Sequence, residues 1–168
     1  MVFNSFHFAI FFVVVYALYR SVPHRQQNWL LLAASYYFYG SWDWRFLGLL
    51  VASTVIDYFC ALYIDSRTDA RQRKAALIVS LGFNLSMLGF FKYFNFFVES
   101  GSQFLHWLGL PVADHTLAII LPAGISFYTF QTLSYTIDVY YGRMEPRRSL
   151  LDFAVYVAFF PQLVAGPI

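Results

Sequence analysis

Charge is what this sequence has least of. Only 12% of its 168 residues are Asp, Glu, Lys or Arg, whereas 60% are hydrophobic and the mean hydropathy is +0.56. A soluble domain of this size carries about a quarter charged residues, so the balance excludes that class and leaves a polytopic membrane protein. Cysteine is nearly absent: Cys60 alone rules out an intramolecular disulfide and cysteine-based metal clusters. The four histidines, His7, His24, His106 and His115, show no metal-ligand spacing and none lies deep in an apolar run. Each therefore reads as a surface or interface residue, and no metal site is expected. There is no phosphate-binding glycine loop, Ser126 does not sit in a nucleophile elbow, and no basic-aromatic stripe suits nucleic acid. The amino end has neither a basic leader nor a small-x-small motif after Tyr19, so it reads as a retained first span rather than a secretion signal.

What the chain has instead is hydrophobic length. Span 1 is expected over 3–19, closed by Arg20, Pro23 and Arg25. Span 2 begins at Asn28-Trp29 and reaches the cluster Trp42-Asp43-Trp44; its purely apolar part is about eleven residues, or ~16 Å, and crosses only if its aromatic flanks count. Span 3 follows over 46–64, and span 4 over 75–98. Residues 99–116 contain Phe104, Leu105, Trp107 and Leu108, a pattern that predicts a short helix lying in the interface. Span 5 is expected over 121–142 with Pro122 in its first turn, and a sixth hydrophobic segment from Leu150 is broken by Pro161. The fold expected is all-α, with about five transmembrane helices, a broken sixth segment and a short interfacial helix. No internal repeat or soluble domain interrupts 1–168, which reads as a single transmembrane region.

Basic residues set the orientation. Arg20 and Arg25 follow span 1; Arg67, Arg71, Arg73 and Lys74 follow span 3; Arg143, Arg147 and Arg148 follow span 5. The intervening loops hold only Arg45. The positive-inside rule then puts loops 20–28, 65–74 and 141–150 in the cytoplasm and the amino terminus outside a bacterial inner membrane. A full crossing by span 2 is required for that alternation. The same arginines read secondarily as a dock for anionic lipid or an acidic cofactor. At the other end, 151–168 would cover ~26 Å as a helix and stop after Ala-Gly-Pro-Ile without a polar tail, so the sequence is expected to continue.

Span 5 is the stretch around which the rest is organised. Gly124, Tyr128, Gln131, Tyr135 and Asp138 recur at helical spacing, with Thr129, Thr132 and Thr136 beside them. Phe127, Phe130, Leu133 and Ile137 are left for lipid or packing. Unpaired polar groups in hydrocarbon cost several kcal/mol, so such a stripe is expected to face neighbouring helices or a wet cavity. The candidate lining of this chamber is Tyr128, Gln131, Tyr135 and Asp138, joined by Asp57, Lys92, Asn95 and Gln162. Each has a plainer reading. Asp57, one turn below Ser53, suits an interhelical hydrogen bond that fixes packing. Lys92 shares a face with Asn84 and Asn95 but can snorkel outward, and its depth makes a direct pair with Asp57 a long reach. Asp138 can meet headgroups or the arginines that follow it.

The blocks LPAGISFYTFQTLSYTIDVYYGRMEP and FAVYVAFFPQLVAGPI, with NLSMLGFFKYFNFF and FNSFHFAIFFVVVYALYR, resemble the membrane-bound O-acyltransferases. The similarity is nearest to the bacterial alginate and polysaccharide O-acetyltransferases and extends over essentially the whole chain. The resemblance implies an N-terminal part of an enzyme that moves acetyl from a cytoplasmic donor to hydroxyls of an extracytoplasmic polysaccharide through a buried chamber. It implies no tightly bound cofactor, an acetyl-CoA or acyl-carrier donor that the residues leave open, and lipid and polysaccharide-modification proteins as partners. The family's catalytic histidine lies beyond the Ala-Gly-Pro-Ile end, so no catalytic residue is expected within 1–168 and this stretch alone is expected to be inactive. A transporter or proton channel would also carry ionisable residues in its spans, and a structural membrane subunit would also pack polar helices.

Overall fold

A computed structural model describes residues 6–108, 122 and 124–165. Six helices follow one another: α1 (Phe6–Ser21), α2 (His24–Ser66), α3 (Ala70–Trp107), α4 (Ile125–Tyr140), α5 (Leu150–Ala158) and α6 (Phe160–Ala165). There is no strand among the described residues. Two stretches, α2 and Ala70–Phe94 of α3, are long and apolar enough to cross a membrane.

α2 is not straight. Asp43 breaks it with extended backbone (φ −159°, ψ 110°), and its carboxylate accepts hydrogen bonds from the Arg45 amide (3.0 Å) and guanidinium (2.7 Å), capping the second arm. Trp29 and Val55 line a common cavity of about 380 Å³, as do Tyr36 and Val51. A straight helix would hold Trp29 and Val55 ~39 Å apart. The chain therefore reverses at Asp43, and α2 is a hairpin of two arms, 24–42 and 44–66. Asn28 and Tyr58, one from each arm, meet the start of α5: Asn28 Nδ2 donates to Asp152 (2.6 Å) and the Tyr58 hydroxyl to the Arg148 carbonyl (2.6 Å).

The second arm forms the centre of the core. Leu50, Ala61 and Ile64 are fully buried and pack with Met87 and Leu88 of α3, Tyr128 and Val139 of α4, and Phe153 and Val157 of α5. α1 is held by rings: Phe8 and Phe11 lie 5.5 Å and 5.9 Å from Phe38, and Phe160 of α6 closes the cluster. The exterior is apolar. Ile10, Val13, Ile78, Val79, Phe90, Phe97 and Phe130 are all exposed, whereas Ser53, Asp57, Ser80, Asn84, Thr129, Thr132 and Thr136 are buried. Hydrophobic groups outside and hydrogen-bonding groups inside are what a lipid-solvated protein requires.

Several expected boundaries move. α3 runs from Ala70 to Trp107, so Arg71, Arg73 and Lys74 belong to its first turns, where the Asp69 carboxylate accepts from the Arg71 amide at 2.9 Å. Phe104, Leu105 and Trp107 ride on its last turns rather than on a separate interfacial helix, because no residue from Val98 to Trp107 breaks the hydrogen-bond ladder. The rest of that expectation, with His115, falls outside the described residues. α4 begins at Ile125, not Leu121, because Gly124 takes a left-handed conformation (φ 73°) that ends helical propagation toward Pro122. It stops in a Schellman turn: Arg143 N donates to the Asp138 carbonyl (2.9 Å) and Gly142 N, at φ 70°, to that of Val139 (3.1 Å). The segment containing Pro161 is two helices, broken at Phe159, with Pro161 in the first turn of α6. The amide of Phe160 donates to Ser35 Oγ at 3.2 Å, which satisfies one group freed by the break.

Candidate functional site

α4 carries two kinds of polar surface. Its inner face, Tyr128, Thr129, Thr132, Tyr135 and Thr136, is buried against the other helices. Leu133 is buried with it and takes the packing side of the two roles open to that flank, whereas Phe130 is exposed, because the helix is rotated so that its threonine row points to the core. Thr132 and Thr136 return their hydroxyls to carbonyls one turn back, at 3.2 Å and 3.1 Å. The Tyr135 hydroxyl accepts from the Arg147 amide (2.9 Å), fixing the loop before α5, and its ring lies 4.6 Å from that of Phe153. The Tyr128 hydroxyl faces Tyr39 without a hydrogen bond of good geometry.

The neighbouring face of α4 is open. Ser126, Phe130, Gln131, Ser134, Tyr156 and Gln162 line a cavity of about 520 Å³ between α4 and the α5–α6 pair. A second cavity of about 390 Å³, lined by Ser134, Tyr135, Asp138, Arg147, Asp152 and Tyr156, continues from it. Ser134 and Tyr156 belong to both, so the two form one groove along the helix. Four of the residues singled out in the sequence therefore line this groove: Gln131, Tyr135 and Asp138 from α4, and Gln162 from α6.

Gln131 is the distinctive group in this groove. Its Nε2 donates to the Tyr156 carbonyl at 2.9 Å, which fixes the amide, while its Oε1 is buried with no donor. A buried acceptor without a partner is uncommon in a packed protein and calls for an explanation. Such an atom is able to accept a hydrogen bond from an O–H or N–H. The groove is pinned at one end by Gly124, whose α-carbon approaches α6 so closely that a Cβ there would lie 2.8 Å from the Leu163 carbonyl oxygen. Asp138, at the other end, lies 3.6 Å from the Arg143 guanidinium.

The remaining candidates lie elsewhere. Asp57 is fully buried, with both oxygens accepting from Asn84 Nδ2 at 2.9 Å and Oδ1 also from Ser80 Oγ at 2.5 Å. Ser53 Oγ donates to Asn84 Oδ1 at 2.7 Å and completes the cluster. Ser80 was not identified from sequence, and Asn84 only as sharing a face with Lys92, although Ser80–Asn84 and Ser53–Asp57 are both polar pairs at four-residue spacing on neighbouring spans. Lys92 is exposed over the Tyr93 ring, 5.6 Å from its centroid, and lies two turns beyond Asn84, out of reach of Asp57. The side chain of Asn95 is outside the described residues.

No protein-family model matches the chain, and no solved structure does. Curated relatives do. The chain is 45% identical over 174 aligned residues to a probable alginate O-acetylase of Azotobacter vinelandii, covering all of this chain and 34% of the relative. Its Pseudomonas aeruginosa counterpart is 44% identical, again over all of this chain and 32% of the relative. A peptidoglycan O-acetyltransferase of Helicobacter pylori is 37% identical over 89% of this chain and 32% of its own length. The chain thus spans about one third of the length of the curated relatives it matches. These relatives give no support to the transporter or structural-subunit readings. Along its whole length this chain is thus similar to part of the bacterial alginate O-acetylases, and over 89% of it to part of a peptidoglycan O-acetyltransferase.

Proposed function

We propose that this chain is part of a membrane O-acetyltransferase that takes acetyl from a cytoplasmic donor and delivers it to hydroxyls of an extracytoplasmic polysaccharide. Its own contribution is a helical wall, and the α4 groove is where that wall meets the substrate. The observation that carries the reading is the buried, donorless Oε1 of Gln131 in an otherwise largely apolar groove. An acceptor there can orient a hydroxyl for attack, and the apolar lining limits competing hydrolysis of the acyl donor. Tyr156 holds the amide in place, so no reorganisation is needed when the hydroxyl arrives.

In this reading the protein sits in a bacterial inner membrane with its amino terminus outside. Each arm of the α2 hairpin is one crossing, giving about five spans before the broken α5–α6 segment. Loops 20–28, 65–74 and 141–150 then lie in the cytoplasm with nine of the eleven basic residues. Polysaccharide-modification proteins on the outer side are the expected partners. The test is to express a protein of the relatives' length carrying this sequence in a bacterium that exports an unacetylated polysaccharide and lacks its own O-acetylase. Acetyl esters on the exported polymer, read by NMR, are the expected result. A correctly inserted protein that leaves the polymer unesterified overturns the proposal.

A further inference from the structure

Three arginines that the topology separates in sequence are brought to one pocket. Arg67 follows α2, Arg73 lies in the first turn of α3, and Arg143 follows α4; together with two carboxylates, Asp65 and Glu145, they line a cavity of about 370 Å³. Each guanidinium rests on a tyrosine ring: Arg67 on Tyr63 at 4.9 Å, Arg73 on Tyr140 at 5.5 Å and Arg143 on Tyr141 at 5.3 Å. Ring contacts of this kind restrict long side chains before any ligand arrives.

The positive charge is not consumed internally. Among the described residues, no ion pair joins these arginines to Asp65 or Glu145, and Arg143 has only a 3.6 Å contact with Asp138. One Arg73 Nη2 donates to the Tyr140 carbonyl at 2.7 Å, which anchors the side chain across the end of α4, but its Nε is buried with no acceptor. Arg143 is placed by the Schellman turn at Gly142, whose positive φ brings the chain back toward α3. Planar N–H forks held in a concave site are suited to a tetrahedral oxyanion.

We propose that this pocket binds a phosphate group, carried either by an anionic lipid headgroup or by a soluble phosphorylated ligand. The inference does not depend on the acetyl-transfer reading, since binding is measured without turnover. The test uses the detergent-purified protein of the relatives' length and two probes, short-chain phosphatidylglycerol and inorganic pyrophosphate, titrated calorimetrically. The variant Arg67→Gln/Arg143→Gln removes two exposed guanidiniums and spares Arg73, which supports α4. Arg20→Gln/Arg25→Gln removes the same charge outside the pocket.

The pocket variant is expected to bind roughly thirtyfold more weakly, and the control less than about threefold more weakly, from the typical effect of two basic residues on an anionic partner. Loss confined to phosphatidylglycerol identifies a lipid headgroup as the source; loss extending to pyrophosphate identifies a soluble one. Failure of the unaltered protein to bind either probe, or equal weakening in the two double variants, overturns the proposal.

Discussion

The Asp57 cluster and the α4 groove are built from similar residue types and come out opposite. Around Asp57, three partners from two neighbouring helices use the carboxylate and the Asn84 amide, and none of these side-chain atoms is left buried without a bond. Along the groove, Gln131 is fixed on its donor side only and keeps a buried acceptor open. Burial alone therefore does not distinguish the two regions, whereas hydrogen-bond partnership does. A closed network locks helix against helix; an incompletely paired group facing a groove is prepared for something else.

Substitutions can break that contrast directly. The largest expected effect is at Asp57→Ala, which strands Ser80 and Asn84 in the core. We expect a loss of about 3 kcal/mol, read as a lowered midpoint in denaturation of the detergent-purified protein. A midpoint within experimental error of the unaltered protein would make the cluster dispensable.

Gly124→Ala follows. A Cβ would lie 2.8 Å from the Leu163 carbonyl oxygen on a backbone at φ 73°, so conformational strain and a clash act together. About 1–3 kcal/mol is expected, with α6 displaced from α4. Faster proteolysis between α5 and α6 would report the displacement, and unchanged proteolysis would argue against it. Tyr128→Phe is the smallest. Its hydroxyl is buried but has no well-formed hydrogen bond, so removal is expected to change stability by no more than ~0.5 kcal/mol. A loss of several times that would show that the hydroxyl has a partner of real strength, and would bring Tyr128 into line with Asp57.

Much of this architecture was legible in the chain because hydrophobic runs and charge breaks mark helices bounded by lipid. The Trp42-Asp43-Trp44 cluster was correctly placed between two apolar segments, and Pro161 correctly marked a break, since each disrupts the helical ladder locally. Helix rotation was less legible. Leu133 and the threonines of α4 lie on adjacent faces, and spacing alone cannot say which turns toward the core; cross-helix packing decides it. For the same reason the partners of Asp57 were hidden, although the preference for an interhelical hydrogen bond there agrees with its contacts to Ser80 and Asn84. Lys92 is exposed and stacks on the neighbouring Tyr93 ring. The groove itself needed the fold, because Gln131, Tyr156 and Gln162 come from three helices.

The most direct test compares Gln131→Ala with Asp57→Asn in the protein of the relatives' length, measuring acetyl transferred to polysaccharide per folded molecule. Gln131→Ala is expected to lower that rate by about tenfold, as removal of one oriented hydrogen bond to the reacting hydroxyl implies, with about 1 kcal/mol of stability lost through the missing bond to the Tyr156 carbonyl. Asp57→Asn is expected to reduce the folded amount while leaving the rate per molecule within about twofold. Full transfer by Gln131→Ala, with loss of transfer in well-folded Asp57→Asn, would reverse the roles assigned to the two regions.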